Sequence, residues 1–556
     1  MASTGRECPA RVALPMPTRA RRTPVLVSLL LLLAGVAMAS AVARTSTTFD
    51  EIVLVSAGAR ALETGDWSMV VDQPPLMPLL YGLPVWASRP TFPDEGGGGL
   101  AYNDRWDYAR DLYFRSGNDP GKLARLSRSV SVLLALSLIL VVFAWGRRIG
   151  GAGVGLVAAA LTAFFPDILA HGAVAYNDLP LALAYVGALW ALDAAVRAPS
   201  LRRGALAGAL VALAMGVKFS AVALGPAVVV LAAMEAAERR RDPAWWKGLG
   251  VAVGCAVVVG YLITALLYRW DPWLIWLEQG LRYTVQHAGA GHPGAAYLLG
   301  RRSADGWWYF FLVAFFLKTP AALHGMMGLA TVGLVWGRRP AGGPPRPLLT
   351  SPLRAPAVGA LVFLALLVLS GLNVGTRYAL PAWVPLLVLV AAGLGRFSVG
   401  AGRLGRGALL ALGVAYAAST LAWAPHFLAY RTEWALGLSP GREPLADSSV
   451  DWGQGLVALR DFQVEEGAGP VRLSYFGSAL PEAYGVDYEA LPSFLGLGPA
   501  PRPPGAPAPA FTVISLTNLH GLYFGGADPF AAYRSREPVR VLAGTLYVYR
   551  EGGEGR

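Results

Sequence analysis

Charge is scarce in this chain. Only 15% of its 556 residues are Asp, Glu, Lys or Arg, against about 25% in an ordinary soluble domain. Lysine is nearly absent: Lys122, Lys218, Lys247 and Lys318 are the whole set. Cysteine is limited to Cys8, in the N-terminal tail, and Cys255, inside an apolar run, which excludes a disulfide framework. The six histidines are scattered, and there is no CxxC or HExxH pattern from which to place a metal. What the chain has instead is apolar surface, with 55% hydrophobic residues and a mean hydropathy of +0.47. These numbers describe an integral membrane protein with many spans. The net charge of +12 would point to nucleic acid in a soluble protein. Here the arginines cluster in short connections between apolar runs, which is an orientation signal, and no nucleic-acid partner is expected.

Apolar runs lie near residues 24–43, 128–145, 152–168, 172–196, 204–217, 219–235, 248–267, 307–336, 355–371, 379–395 and 407–425. About 20 apolar residues cross a bilayer. The fold class expected is therefore a polytopic α-helical membrane protein with about eleven transmembrane helices. The first run follows Arg19, Arg21 and Arg22 and is too long for a signal-peptide core, so it reads as a retained anchor. Region 204–235 is either a hairpin or one broken helix. Its basic flanks, Arg202-Arg203 and Arg239 to Arg241, favour a hairpin with its tip at Met215 to Ser220. The arginine clusters at 19–22, 147–148, 197–203, 239–241, 338–339 and 396–406 all fall on one side if the N-terminus is cytoplasmic. The expected division is a cytoplasmic tail over 1–23, a transmembrane domain over 24–425 and an extracytoplasmic domain over 426–556.

The first external loop, 44–127, holds three helix-like stretches: Asp50 to Thr64, Leu76 to Ser88 and Asp104 to Arg115. Their apolar faces and aromatics suit helices lying in the membrane interface. The run Gly96 to Gly99 reads as a joint between them. In the C-terminal part, Val471 to Phe476, Phe511 to Ser515 and Thr545 to Tyr549 are strand-length and β-rich, with a helix-like stretch at Gln454 to Phe462. A small α/β domain is expected, with Pro499 to Pro509 as a linker or exposed loop.

The feature closest to chemistry is the acidic pair Asp50-Glu51 behind the first span, at a membrane surface. An acid that opens a helix also serves as an N-cap. A cap needs nothing downstream, yet Asp72-Gln73-Pro74-Pro75-Leu76 follows. Then come Tyr176-Asn177-Asp178-Leu179-Pro180 after His171, Lys218-Phe219-Ser220, His292-Pro293, Leu317-Lys318-Thr319-Pro320, Asn373 to Pro381 around Arg377, and Asp451-Trp452-Gly453-Gln454.

This ordered series resembles the polyprenyl-phosphate-sugar glycosyltransferases of the GT-C superfamily. The branch is the bacterial family-39 type, with the protein O-mannosyltransferases and the aminoarabinose transferases that modify lipid A. Gln73 stands where that family has histidine in a His-Pro-Pro-Leu motif. The resemblance implies a donor sugar on a polyprenyl phosphate, and a lipid, glycan or protein acceptor outside the cytoplasm. It implies a single inverting displacement with Asp50 as base and Glu51 orienting the acceptor or holding the loop. Arg377, Lys218 and Lys318 are the expected donor phosphate ligands, and Asp178, Gln73, Asn177 and His292 the expected substrate contacts. No cofactor is required; a divalent metal is possible and stays unassigned. The bias to Arg, Ala and Gly suggests a high-GC bacterial genome, hence a bacterial inner membrane.

Competing readings keep their place here. Asp178 also suits a helix cap, Arg377 an interfacial anchor that snorkels, and Trp307-Trp308-Tyr309 an aromatic belt. At the level of the whole chain the alternatives are a lipid-linked-sugar flippase and a non-catalytic subunit for envelope polysaccharide assembly. Transporters usually carry internal repeats and midplane charges, and neither is evident.

Overall fold

The computed structural model describes residues 18–95, 104–270, 275–290, 294–336, 351–436, 442–496 and 508–551. The joint at Gly96 to Gly99, the Arg338-Arg339 pair, His292 and most of the Pro499 to Pro509 run lie outside the described residues.

The chain enters as α1 (Thr18–Arg44), then α2 (Glu51–Thr64), α3 (Leu76–Ala87) and α4 (Arg105–Arg110). A long α5 (Pro120–Ala163) leads to α6 (Pro166–Gly172), α7 (Asp178–Arg197), α8 (Leu201–Val217), α9 (Leu224–Arg239), α10 (Pro243–Leu267) and α11 (Ile275–Ala290). After a short hairpin of β1 (Ala296–Leu298) and β2 (Arg301–Ser303) come α12 (Phe310–Leu317), α13 (Ala321–Trp336), α14 (Arg354–Ser370), α15 (Leu380–Gly400) and α16 (Arg403–Leu421).

Among the described residues, seven helices are long and apolar enough to span a membrane. The bent pair α12–α13 makes an eighth. The eleven expected runs are mainly helical, but α8 and α14 have only 17 residues each, the 128–145 run lies within α5, and the 152–168 run spans the end of α5 and the start of α6. That helix is not straight. Gly150 and Gly151 leave helical geometry, Gly151 at φ 85°, and the arms fold back so that a Cβ on Gly146 would touch Ala158. Glycine tolerates that positive φ without strain. The α12–α13 break, 113°, falls at Lys318-Thr319-Pro320, where proline removes a helix donor. Region 204–235 is two helices, with the chain extended at Lys218 (φ −159°).

In the first loop, α2 and α3 pack so tightly that a Cβ on Gly58 would overlap the Pro78 carbonyl. Eleven of the 14 residues of α2 are buried. It departs from the expectation of an interface-lying helix because α3 and α4 pack against it. On α3, Leu83 and Trp86 remain exposed, as an interfacial helix requires.

The C-terminal domain begins with α17 (Leu456–Glu466), followed by β3 (Val471–Ser474), β4 (Tyr488–Ala490), β5 (Phe511–Ser515), a one-turn α18 (Leu516–Leu519), β6 (Arg540–Leu542) and β7 (Leu546–Arg550). The strands form one sheet in the order β4-β3-β5-β7-β6. β3 is parallel to both β4 and β5, and β7 is antiparallel to β5 and β6. Every residue of β5 is buried, as suits a central strand covered on both faces. Leu456, Leu459 and Phe462 of α17 close one face over Val471, Leu473, Val513 and Val548. The other face supplies Phe476, Ile514 and Tyr547 to the core shared with the transmembrane helices.

Candidate active site

The segment before α2 is stitched from two sides. From the C-terminal domain, Phe49 N–H reaches the Trp452 carbonyl (2.8 Å), Ser46 N–H the Gln454 carbonyl (3.2 Å), and Ser478 Oγ the Phe49 carbonyl (2.6 Å). From the membrane side, Arg128 of α5 donates to Glu51 through Nε and Nη2, both at 2.8 Å. Glu51 also accepts from Thr48 N–H (3.0 Å) and Ala175 N–H (2.9 Å), and it is fully buried. Its two oxygens have no capacity left for a substrate. Glu51 ties the loop, α5 and the turn before α7 together.

Asp50 faces the other way. It immediately precedes α2, yet its side chain makes no capping hydrogen bond. It is 28% exposed and lies 3.6 Å from Arg377 Nη2. Burial pushes its carboxyl up to about 6, opposed first by Arg377 and then by Arg105, with Asp447 and Asp178 adding to the rise. That places proton exchange near neutrality, as a base needs.

Arg377 sits in the 3-10 turn Thr376–Ala379 that opens α15, and Asp178 is the first residue of α7. Arg377 Nε meets Asp178 Oδ2 at 3.0 Å, and Lys218 Nζ meets Asp178 Oδ1 at 2.5 Å. Asp178 therefore pairs with cations, and its side chain does not cap the helix. The Arg377 guanidinium stands 3.9 Å over the Trp452 ring, with Tyr378 at 5.0 Å and Tyr176 at 5.7 Å. Lys218 Nζ lies 4.6 Å from the Tyr378 ring centre. Ring faces hold cations without consuming N–H donors. Arg377 Nη1 is buried, with no hydrogen-bond partner among the described residues. Lys218 carries three N–H donors, and among the described residues its ammonium hydrogen-bonds to Asp178 alone. The arrangement is an aromatic cage that presents cationic donors beside a carboxylate.

Lys318 does not join this group. It is fully buried, 3.4 Å from Asp167, and donates to the Leu428 carbonyl at 2.7 Å. Thr376 Oγ1 donates to the same Asp167 at 2.8 Å. Lys318 is thus spent on an internal pair that anchors the turn carrying Arg377, because an ammonium this deep requires a carboxylate. Gln73 accepts a 2.6 Å hydrogen bond from Asn177 Nδ2, beside Asp178. Among the described residues, no three His, Cys, Asp or Glu side chains form a group able to hold a metal.

Residues 121–263, from α5 to α10, match the family model described as dolichyl-phosphate-mannose-protein mannosyltransferase. No curated protein sequence matches the chain. Among solved structures it is similar to ArnT from Cupriavidus metallidurans bound to undecaprenyl phosphate, with TM-score 0.47, 13% identity, and coverage of 94% of this chain and 97% of that one. The apo state of the same protein gives TM-score 0.47 and 13% identity, over 96% of this chain and 98% of that one.

Of the GT-C site expected here, Asp50, Asp178, Lys218 and Arg377 come together, with Gln73 and Asn177 alongside. Glu51 and Lys318 face inward. Arg128 was not singled out from the sequence, and Trp452, Tyr176 and Tyr378 stood inside quoted motifs without a site role of their own. An arginine at the head of a span was a usable signal, since a charge there needs a partner. The Asp451 to Gln454 motif gave no sign that Trp452 faces Arg377, because that contact joins segments 75 residues apart in sequence.

Proposed function

We propose that the chain is a membrane glycosyltransferase that moves a sugar from a polyprenyl-phosphate carrier to an acceptor hydroxyl outside the cytoplasm. The observation that carries this reading is the partly exposed Asp50, free of any cap bond and 3.6 Å from a caged Arg377. The matched family model names a lipid-linked sugar donor in its description, which agrees. In the step proposed, the acceptor oxygen bonds to the anomeric carbon as the bond from that carbon to the phosphate oxygen breaks. The acceptor proton passes to Asp50. The bonding pair leaves with the polyprenyl phosphate, whose charge Arg377 and Lys218 stabilise. Glu51 and Arg128 are positioning residues that hold the Asp50 loop.

The site lies where the first loop and the C-terminal domain meet the outer helix ends, as the arginine pattern orients them. Maleimide labelling at Val464→Cys, on the exposed face of α17, tests the orientation. Labelling from outside intact cells is expected, and labelling only after lysis overturns it. For the chemistry, labelled polyprenyl-phosphate sugars and membrane extract are incubated with wild type and Asp50→Asn. Transfer by wild type alone is expected. Equal transfer by both removes Asp50 as base.

A further inference from the structure

A second cleft, of about 320 Å³, opens between α2, the turn after it and the outer end of α10. Its volume is at the low end of small-molecule sites. Trp67 and Arg269 stand together in its wall, with the guanidinium 5.8 Å from the Trp67 ring centre and donating to the Gly65 carbonyl at 2.5 Å. Arg269 and Trp270 both hold positive φ, 60° and 59°. Non-glycine residues take that conformation only where the surroundings enforce it, often around ligands.

The lining is mixed. Val70 and Pro75 give apolar wall. Tyr268 is buried, and among the described residues its hydroxyl has no hydrogen-bond partner. Gln73 accepts from Asn177, and its amide N–H groups have no protein partner among the described residues. Through Gln73 and Asn177 the cleft is joined to Asp178, and so to Lys218 and Arg377.

We infer that this cleft is a binding subsite for a neutral sugar ring. An indole face with apolar walls covers the C–H face of a ring, while a spare hydroxyl and a spare amide bond its hydroxyls. An isoprenoid chain offers no partner for Tyr268 or Gln73. The ring comes from the donor or from a glycan acceptor, and this inference rests on the proposed transferase reading for that link.

The test uses the full chain in lipid nanodiscs, as wild type, Tyr268→Phe and Trp67→Leu. One arm measures binding of polyprenyl-phosphate-mannose and polyprenyl-phosphate-arabinose against bare polyprenyl phosphate. The other measures saturation-transfer NMR with a panel of neutral disaccharides. If the cleft reads the donor ring, both variants bind a sugar-bearing lipid about tenfold more weakly and bind bare polyprenyl phosphate unchanged. If it reads an acceptor ring, donor binding holds and the disaccharide signal is lost in both variants. No difference between variants and wild type in either arm overturns the inference. Equal weakening toward bare polyprenyl phosphate also overturns it, and identifies an isoprenoid groove. Wild-type transfer is assayed in parallel. Ring binding that depends on Tyr268, with no transfer by wild type, would sink the transferase reading and leave the subsite standing.

Discussion

The adjacent acids Asp50 and Glu51 should fail in opposite ways when each is replaced by its amide. Glu51→Gln keeps the shape but offers one acceptor oxygen and one NH2 group. Whichever way the amide turns, NH2 faces either Arg128 Nε with Ala175 N–H or Arg128 Nη2 with Thr48 N–H. Arg128 is left as a buried charge with no counter-ion. Breaking one side of a buried ion pair costs about 3–5 kcal/mol. The unfolding midpoint of the purified protein should fall by several degrees, with transfer lost through disorder of the Asp50 loop. Asp50→Asn should behave otherwise. Burial already disfavours the charged form of Asp50, so removing the charge does not weaken the fold. Transfer should drop about a hundred- to ten-thousand-fold, the usual worth of a general base. Thermal unfolding by intrinsic fluorescence and transfer assays on the same preparations separate the two. A Glu51→Gln protein that melts within about 1 °C of wild type would refute the clamp. An Asp50→Asn protein that is active, or that loses stability as Glu51→Gln does, would refute the division of labour.

Three further outcomes are expected. The acid limb of the pH–rate profile should rise with a midpoint near 6, the value to which burial lifts Asp50; a midpoint near the ordinary aspartate value would contradict the site geometry. Arg377→Lys keeps a charge but loses the planar stack on Trp452. It should raise the donor KM about tenfold, or 1.4 kcal/mol, and an unchanged KM would remove Arg377 from phosphate binding. Burial lifts Asp451 to about 7 despite its bond from Thr517 N–H. A carboxyl raised on folding stabilises below its unfolded value, near 3.9, and loses that contribution as pH rises through about 7. Thermal stability should therefore decline from pH 5 to 8 in wild type, and that slope should flatten in Asp451→Asn; an identical slope in both would show that Asp451 does not titrate there.

The sequence by itself determined the many-spanning helical class, the helical runs and a small α/β domain. Apolar length and hydrophobic periodicity are local properties, and so is β-rich composition. It also brought Asp50, Asp178, Lys218 and Arg377 to attention, since charge at the end of an apolar run is costly enough to stand out. Which of those charges share a site was decided only by tertiary structure. Glu51 and Asp50 are neighbours in sequence with the same chemistry, and Arg128, 77 residues later, turns one inward. Lys318 and Lys218 read alike along the chain, yet Asp167 and the Leu428 carbonyl enclose the first while Asp178 and aromatic rings present the second. Ion pairing and burial depend on which segments fold against each other, and that packing is a property of the whole chain.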